Sequence, residues 1–230
     1  MTRNLRMKNK SRSAAANLSP MSCFRACAPY FFAGVVALLL QVPPAHAEAS
    51  PAETFVQQSV EKGFAILKDT SIPPQEREMQ FRALMRSIFD FKRVGVFALG
   101  PYAKGASDKQ IDDFVNAFAD YFMTMFHFDS EQNPVGQGIM VTGATARGSD
   151  DVIVTAKVAG ADAGSAAGMP MDLAFRVRKN AAGNDTIVDV LVGGISMAVT
   201  ERDAFLSYLQ QHSGNIEQLS AELEKRVASR

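Results

Sequence analysis

The stretch Asp151-Val152-Ile153-Val154-Thr155-Ala156-Lys157-Val158 alternates, with Val152, Val154, Ala156 and Val158 on one side of the chain. Successive side chains of an extended segment point to opposite faces, so a period of two predicts a strand with one buried face. Met171, Leu173, Phe175 and Val177 repeat the pattern against Asp172, Arg176 and Arg178. Residues 159–170, between the two, are rich in Gly and Ala and suit a mobile loop joining antiparallel strands. Residues 139–145 read as an earlier strand, 187–192 as a later one, and 195–199 as a short continuation beyond Gly193-Gly194.

Upstream of this region the period is 3.6. Phe55, Val56, Ser59, Val60, Gly63, Phe64 and Leu67 make one helical stripe, and Pro73-Pro74 start a second helix striped by Phe81, Leu84, Met85 and Ile88. Ser107 with Gln110 three residues on is a capping box, opening a helix through Ile111, Phe114, Val115, Phe118, Phe122 and Met125. Downstream, Thr200 with Asp203 predicts another helix start, Gly214 interrupts it, and Ile216, Leu219, Leu223 and Val227 stripe a final helix. Helices, then adjacent strands, then helices give an α+β order. The expected architecture is helices packed over one face of a curved antiparallel sheet.

Residues 1–47 hold Arg3, Arg6, Lys8, Lys10, Arg12 and Arg25 without any acid, an apolar run over 28–40, and the small-x-small site Ala45-His46-Ala47. This is the pattern of a secretory signal peptide, with residues 48–230 as the exported domain. The apolar run is shorter than the roughly 20 residues that span a bilayer, and Pro43-Pro44 end it. Cys23 and Cys27 leave with the leader, so the exported chain has no disulfide, thiol nucleophile or thiolate ligand. It keeps 18 basic residues against 24 acids, a formal charge of −6, which gives no long-range attraction to nucleic acid or anionic lipid.

Few active sites can be built from what remains. There is no HExxH, GxSxG or Walker loop, and Gly136-Gln137-Gly138 with Gly143 are too loosely arranged for a phosphate loop. His127 and His212 fall near helix ends, where a capping or surface role accounts for them. Asp189 interrupts an apolar run, so it either faces solvent or is a buried acid partnered by Arg176 or Arg178. No second acid stands out to pair with it as a glycosidase would require. The expectation is therefore no enzyme, no metal and no cofactor.

What the chain has in excess is Phe and Met. Such stripes form core, or two layers standing slightly apart around an apolar cavity in which unbranched Met adapts to a flexible ligand. Residues 81–94, Phe-Arg-Ala-Leu-Met-Arg-Ser-Ile-Phe-Asp-Phe-Lys-Arg-Val, followed by Phe97-Ala98-Leu99-Gly100 and Tyr102, resemble the signature of the MlaC family, also called the toluene-tolerance family. The likeness resumes over 114–122, at Asp189-Val190 and Gly194-Ile195-Ser196, and over 202–205, covering most of residues 52–227 in order.

The resemblance implies a periplasmic lipid carrier, soluble after leader cleavage and a monomer, that holds phospholipid acyl chains between a curved sheet and helices and leaves the headgroup largely outside. It also implies partners: an inner-membrane ABC transporter bearing an MCE-domain protein, and an outer-membrane lipoprotein and porin complex. Carried onto this chain, the lipid-binding wall falls to Phe97, Phe118, Phe122, Phe175, Val190 and Ile195. The chain departs from the family pattern over 127–136, which lacks a tyrosine-rich stretch, and at Thr186-Ile187, where an aromatic is usual. A branch of the family is associated with hopanoid-producing bacteria, so a carrier of hopanoid or another polycyclic lipid stays open. An exported adaptor without lipid and a lipid-modifying enzyme stay open beside it.

Overall fold

The computed structural model describes residues 49–125, 138–158 and 172–229. The leader, the start of the exported domain at Glu48, His127 with the rest of 127–136, Gln137, the Gly/Ala-rich segment 159–170 and Met171 lie outside the described residues.

Helix α1, Pro51–Lys68, starts where Ser50 Oγ accepts from the Glu53 N–H at 3.2 Å while the Glu53 carboxylate accepts from the Ser50 N–H at 2.6 Å. This reciprocal box satisfies two of the donors that a helix start leaves free. Helix α2, Pro74–Ile88, needs no such cap at its first residue, because proline has no N–H to satisfy. Helix α4, Asp108–Met123, begins with the box anticipated at Ser107 and Gln110, and ends two residues short of Met125.

Between α2 and α4 lies a helix that the sequence reading passed over. α3, Phe91–Leu99, buries Phe91, Val94, Gly95, Ala98 and Leu99 at steps of three and four and leaves Lys92, Val96 and Phe97 exposed. The break before it has a tertiary cause: Phe89 bridges Ile187, and the Asp90 N–H donates to the Ile187 carbonyl at 3.0 Å. Asp90 then caps α3 by accepting from the Arg93 N–H at 3.0 Å. A 3₁₀ turn, Gly100–Gly105, leads on to α4. At Gly95 a side-chain Cβ would meet Val115 Cγ2 at 2.9 Å, so glycine is what lets α3 lie this close to α4.

Five strands follow: β1 Ile139–Ala146, β2 Asp151–Val158, β3 Asp172–Lys179, β4 Asp185–Val192 and β5 Ile195–Ser196. All pair antiparallel in the order β1-β2-β3-β4-β5. One register row runs Val154–Phe175–Val190, and on this face Val154, Ala156, Phe175 and Val177 are buried.

This sheet corrects the expected architecture. Helices and an antiparallel sheet are present, but the sheet is open, with β1 and β5 at opposite edges, and it does not curve around an enclosed lipid cavity. The two edge strands do not pair with each other, so the sheet stays open. Alternation reports which face is buried, and it says nothing about bending. Buried side chains of strands and helices form one continuous core, with α1 packed against β1 and β2 and with α2 and α3 against β4.

The later helices also begin differently from expectation. α5, Met197–Gln211, starts three residues before Thr200 and is capped by Ser196, whose Oγ accepts from the Val199 N–H at 3.1 Å. Gly193 and Gly194, both at positive φ, turn the chain so tightly that the strand reading of 195–199 shrinks to Ile195–Ser196. The Thr200 hydroxyl donates instead to the Ser196 carbonyl at 2.9 Å. Past Gly214, Asn215 caps α6, Ile216–Ala228, which packs Ile216, Leu219 and Leu223 inward. No helix among the described residues is long and apolar enough to cross a membrane.

The core centres on Phe114, which is fully buried, stacks on Phe118 at 6.0 Å and meets the edge of Phe205 at 5.7 Å. Truncating a buried phenylalanine removes its transfer energy and leaves a void. Phe114→Ala is expected to cost about 3–5 kcal/mol, read as a lower urea midpoint with an unchanged m-value.

Candidate functional site

Two walls meet along β4. One is formed by Phe91 and Val94 of α3 with Phe118 and Phe122 of α4, and the other by Val188 and Val190 of β4 with Met197 and Ala198 of α5. Phe89 and Met125 complete the lining. The rings interlock: Phe122 lies 5.1 Å from Phe89 and 5.6 Å from Phe91, centroid to centroid, and Phe91 meets Phe118 at 6.1 Å. The cleft left between the walls is about 20 Å³, room for about one water molecule. The walls are therefore in contact, and a chain-like ligand enters only if they part.

Two carboxyl groups border this apolar space, Asp189 and Glu201. Asp189 differs from the sequence reading. Its Oδ2 accepts from the Ser196 hydroxyl at 2.5 Å and its Oδ1 from the Ala198 N–H at 2.9 Å, so it ties β4 to the start of α5. Arg176 sits opposite Asp189 in the ladder, yet its Nε and Nη2 grip Asp151, at 2.9 Å to Oδ1 and 2.5 Å to Oδ2. That hydrogen-bonded pair holds the Asp151 carboxyl below the usual carboxylate range. Glu201 is half-buried, and burial pushes its carboxyl above the ordinary value, with Arg226 offsetting part of the rise.

Of the residues singled out from sequence, Phe118, Phe122 and Val190 are brought together in the cleft. Phe175 is buried on β3 beside Val190 in register, one strand away from the lining. Phe97 is 43% exposed and lines a neighbouring polar pocket, and Ile195 is 65% exposed on β5. The sequence reading named neither Phe89 and Phe91 nor Met197 and Glu201 as wall residues. Phe89 and Phe91 stood in the quoted motif, whereas nothing in the local pattern marks Glu201 as a cleft acid. Among the described residues no group of three or more His, Cys, Asp or Glu could hold a metal ion. His212 caps the C-terminal end of α5, stacked 3.9 Å from Tyr208 with Nδ1 2.8 Å from the Tyr208 carbonyl.

A helical layer over an open antiparallel meander, meeting in an apolar cleft, defines the kind of domain. A family model described as MlaC protein matches residues 57–225, so the chain belongs to the MlaC family. A solved structure from Ralstonia solanacearum, described as a phospholipid-binding protein in complex with a phospholipid, superposes with a TM-score of 0.62 at 20% identity. The match covers 78% of this chain and 98% of that one. At that identity the likeness is one of fold. Comparison with curated proteins gives no significant match.

Glu201 generates a pH prediction. A carboxyl whose folded pKa is raised binds its proton more tightly folded than unfolded, so stability falls as pH rises from the ordinary value through the raised one. Below the ordinary value of 4.5 both states are protonated and the effect vanishes. Glu201→Gln should therefore match the parent near pH 4 and surpass it at pH 7 in urea midpoint.

Proposed function

We propose that the protein is a periplasmic lipid carrier of the MlaC type, taking phospholipid acyl chains between the α3–α4 aromatic wall and the β4–α5 wall. The observation that carries this reading is the cleft, lined almost wholly by Phe, Val, Ala and Met, with the aromatic α3–α4 wall facing an aliphatic β4–α5 wall. Family membership and the phospholipid complex of the structurally similar Ralstonia protein support it. The physical need is plain: a 16-carbon chain crossing water exposes about 0.8 kcal/mol per CH₂, or roughly 12 kcal/mol that a carrier must mask. Phe118, Phe122 and Val190 are the residues assigned to the chains, with Phe97 and Ile195 at outer positions and Phe175 backing Val190 from β3.

Loading requires the walls to separate, because the present cleft accepts about one water. The contact between the walls is aromatic against aliphatic, so an incoming acyl chain replaces it with comparable apolar contact. The protein carries lipid and transforms none. Its partners are the membrane complexes between which MlaC-type carriers move lipid: an inner-membrane ABC transporter with an MCE-domain protein, and an outer-membrane lipoprotein and porin complex. Residues 1–47 serve as the cleaved leader that delivers the chain to the periplasm.

Native mass spectrometry of protein purified from its own host should show bound glycerophospholipid that survives desalting and is released by organic solvent. Phe122→Arg, which places an uncompensated charge in the wall, should reduce loading at least tenfold while circular dichroism confirms a folded domain. Protein without extractable lipid that also takes none from labelled vesicles would refute the carrier reading. A polycyclic lipid in the extract would replace the ligand class and keep the carrier.

A further inference from the structure

A second pocket of about 130 Å³ adjoins the apolar cleft and shares Val94, Val188, Asp189 and Ala198 with it. Its chemistry is mixed. Arg93 of α3 and Arg176 and Arg178 of β3 line it, and the half-exposed apolar residues Phe97 and Val199 form part of the lining. The volume admits several water molecules, enough for a phosphate-sized anion.

The carboxylates nearby are already committed. Arg93 contacts Asp90 Oδ2 at 3.5 Å and donates to the Lys179 carbonyl at 3.3 Å, while Arg176 grips both oxygens of Asp151. Asp189 gives its two oxygens to Ser196 and Ala198. Arg178 is the least committed: it stands beside Asp151 in the ladder and its charge helps hold that carboxyl low, but its Nε is buried and has no hydrogen-bond partner. A buried donor without a partner is uncommon in a folded protein and marks a place where an ion or water completes the structure. Guanidinium groups are suited to this, since their fork of donors matches the oxygens of a phosphate.

We propose that this pocket binds the phosphate of the carried lipid's headgroup, with Arg178 as its principal donor and Arg93 and Arg176 flanking it. The assignment rests on the carrier reading, because it is the shared lining that lets one amphiphile fill both spaces, chains in the cleft and phosphate among the arginines. It also departs from what the family resemblance implies, a headgroup left largely outside. Selection for an anionic phosphate over an uncharged lipid of equal chain length follows.

The test delivers phosphatidylglycerol or diacylglycerol with the same acyl chains from one neutral-detergent micelle and reads protein–lipid complexes by native mass spectrometry. Wild type should load both. Arg178→Gln should load diacylglycerol as wild type does and phosphatidylglycerol about tenfold less, the size expected for losing a hydrogen bond to a charged group. Diacylglycerol loading reports folding in the same experiment, and if Arg178→Gln fails to fold, Arg93→Gln on the surface of α3 should show the same selective loss, severalfold in size. Unchanged phosphatidylglycerol loading, or equal loss of both lipids in a folded variant, overturns the proposal. Inorganic phosphate that raises the Tm of wild type but not of Arg178→Gln, with phosphatidylglycerol loading equal in both, would assign the pocket to free anion and overturn the headgroup role. Wild type that loads neither lipid defeats the carrier reading itself, an outcome distinct from loss of selectivity alone.

Discussion

The aromatic ladder of α4 is the contact on which the rest of the molecule depends. Phe114, Phe118 and Phe122 lie at four-residue spacing, so a single helical face carries all three rings. The inner end, Phe114, is fixed against Phe205 of α5, whereas the outer end, Phe122, touches Phe89 and Phe91 at the cleft. One helix therefore anchors the core at one end and forms a wall at the other. Stability and ligand access are graded along it: the inner rings hold the fold, and the outer ring can exchange its partners for acyl chain.

Opposite that wall, Asp189 acts as a joint. Through Ser196 and the Ala198 N–H it locks β4, the Gly193-Gly194 turn and the start of α5 into one unit. It also borders both the apolar cleft and the arginine pocket. A residue that reads in isolation as a candidate acid is thus a structural hinge point between the two chemistries that an amphiphile needs. Glu201, one turn further along α5, lies on the apolar side, and its burial keeps its proton bound to higher pH.

Much of the local structure was legible because it is written in short-range chemistry. The Ser107–Gln110 box, the Pro73-Pro74 break and the alternation of Asp151–Val158 each need only near neighbours to be read. α3 was passed over because its stripe spans only nine residues and apolar Val96 and Phe97 sit on its outer side, and its start depends on Asp90 meeting Ile187 nearly a hundred residues away. Thr200 looked like a cap because Ser196 gains that role only after the two-glycine turn folds. Strand alternation put Phe175 on a buried face but carried no information on whether the sheet bends, and the open meander was the result. The arginine pocket was likewise invisible, since Arg93 joins Arg176 and Arg178 only through the packing of α3 over β4.

The central claim is that acyl chains part the two walls at Phe122. The chain contains no tryptophan, so Phe122→Trp gives a single indole at the cleft, and Phe64→Trp on α1 gives one away from it. Loading each variant with phospholipid brominated along its acyl chains is the most direct measurement, because bromine quenches indole fluorescence only near contact. The account predicts strong quenching at position 122 and little at position 64. Equal quenching at both positions, or none at 122 in protein shown to hold the lipid, would contradict it.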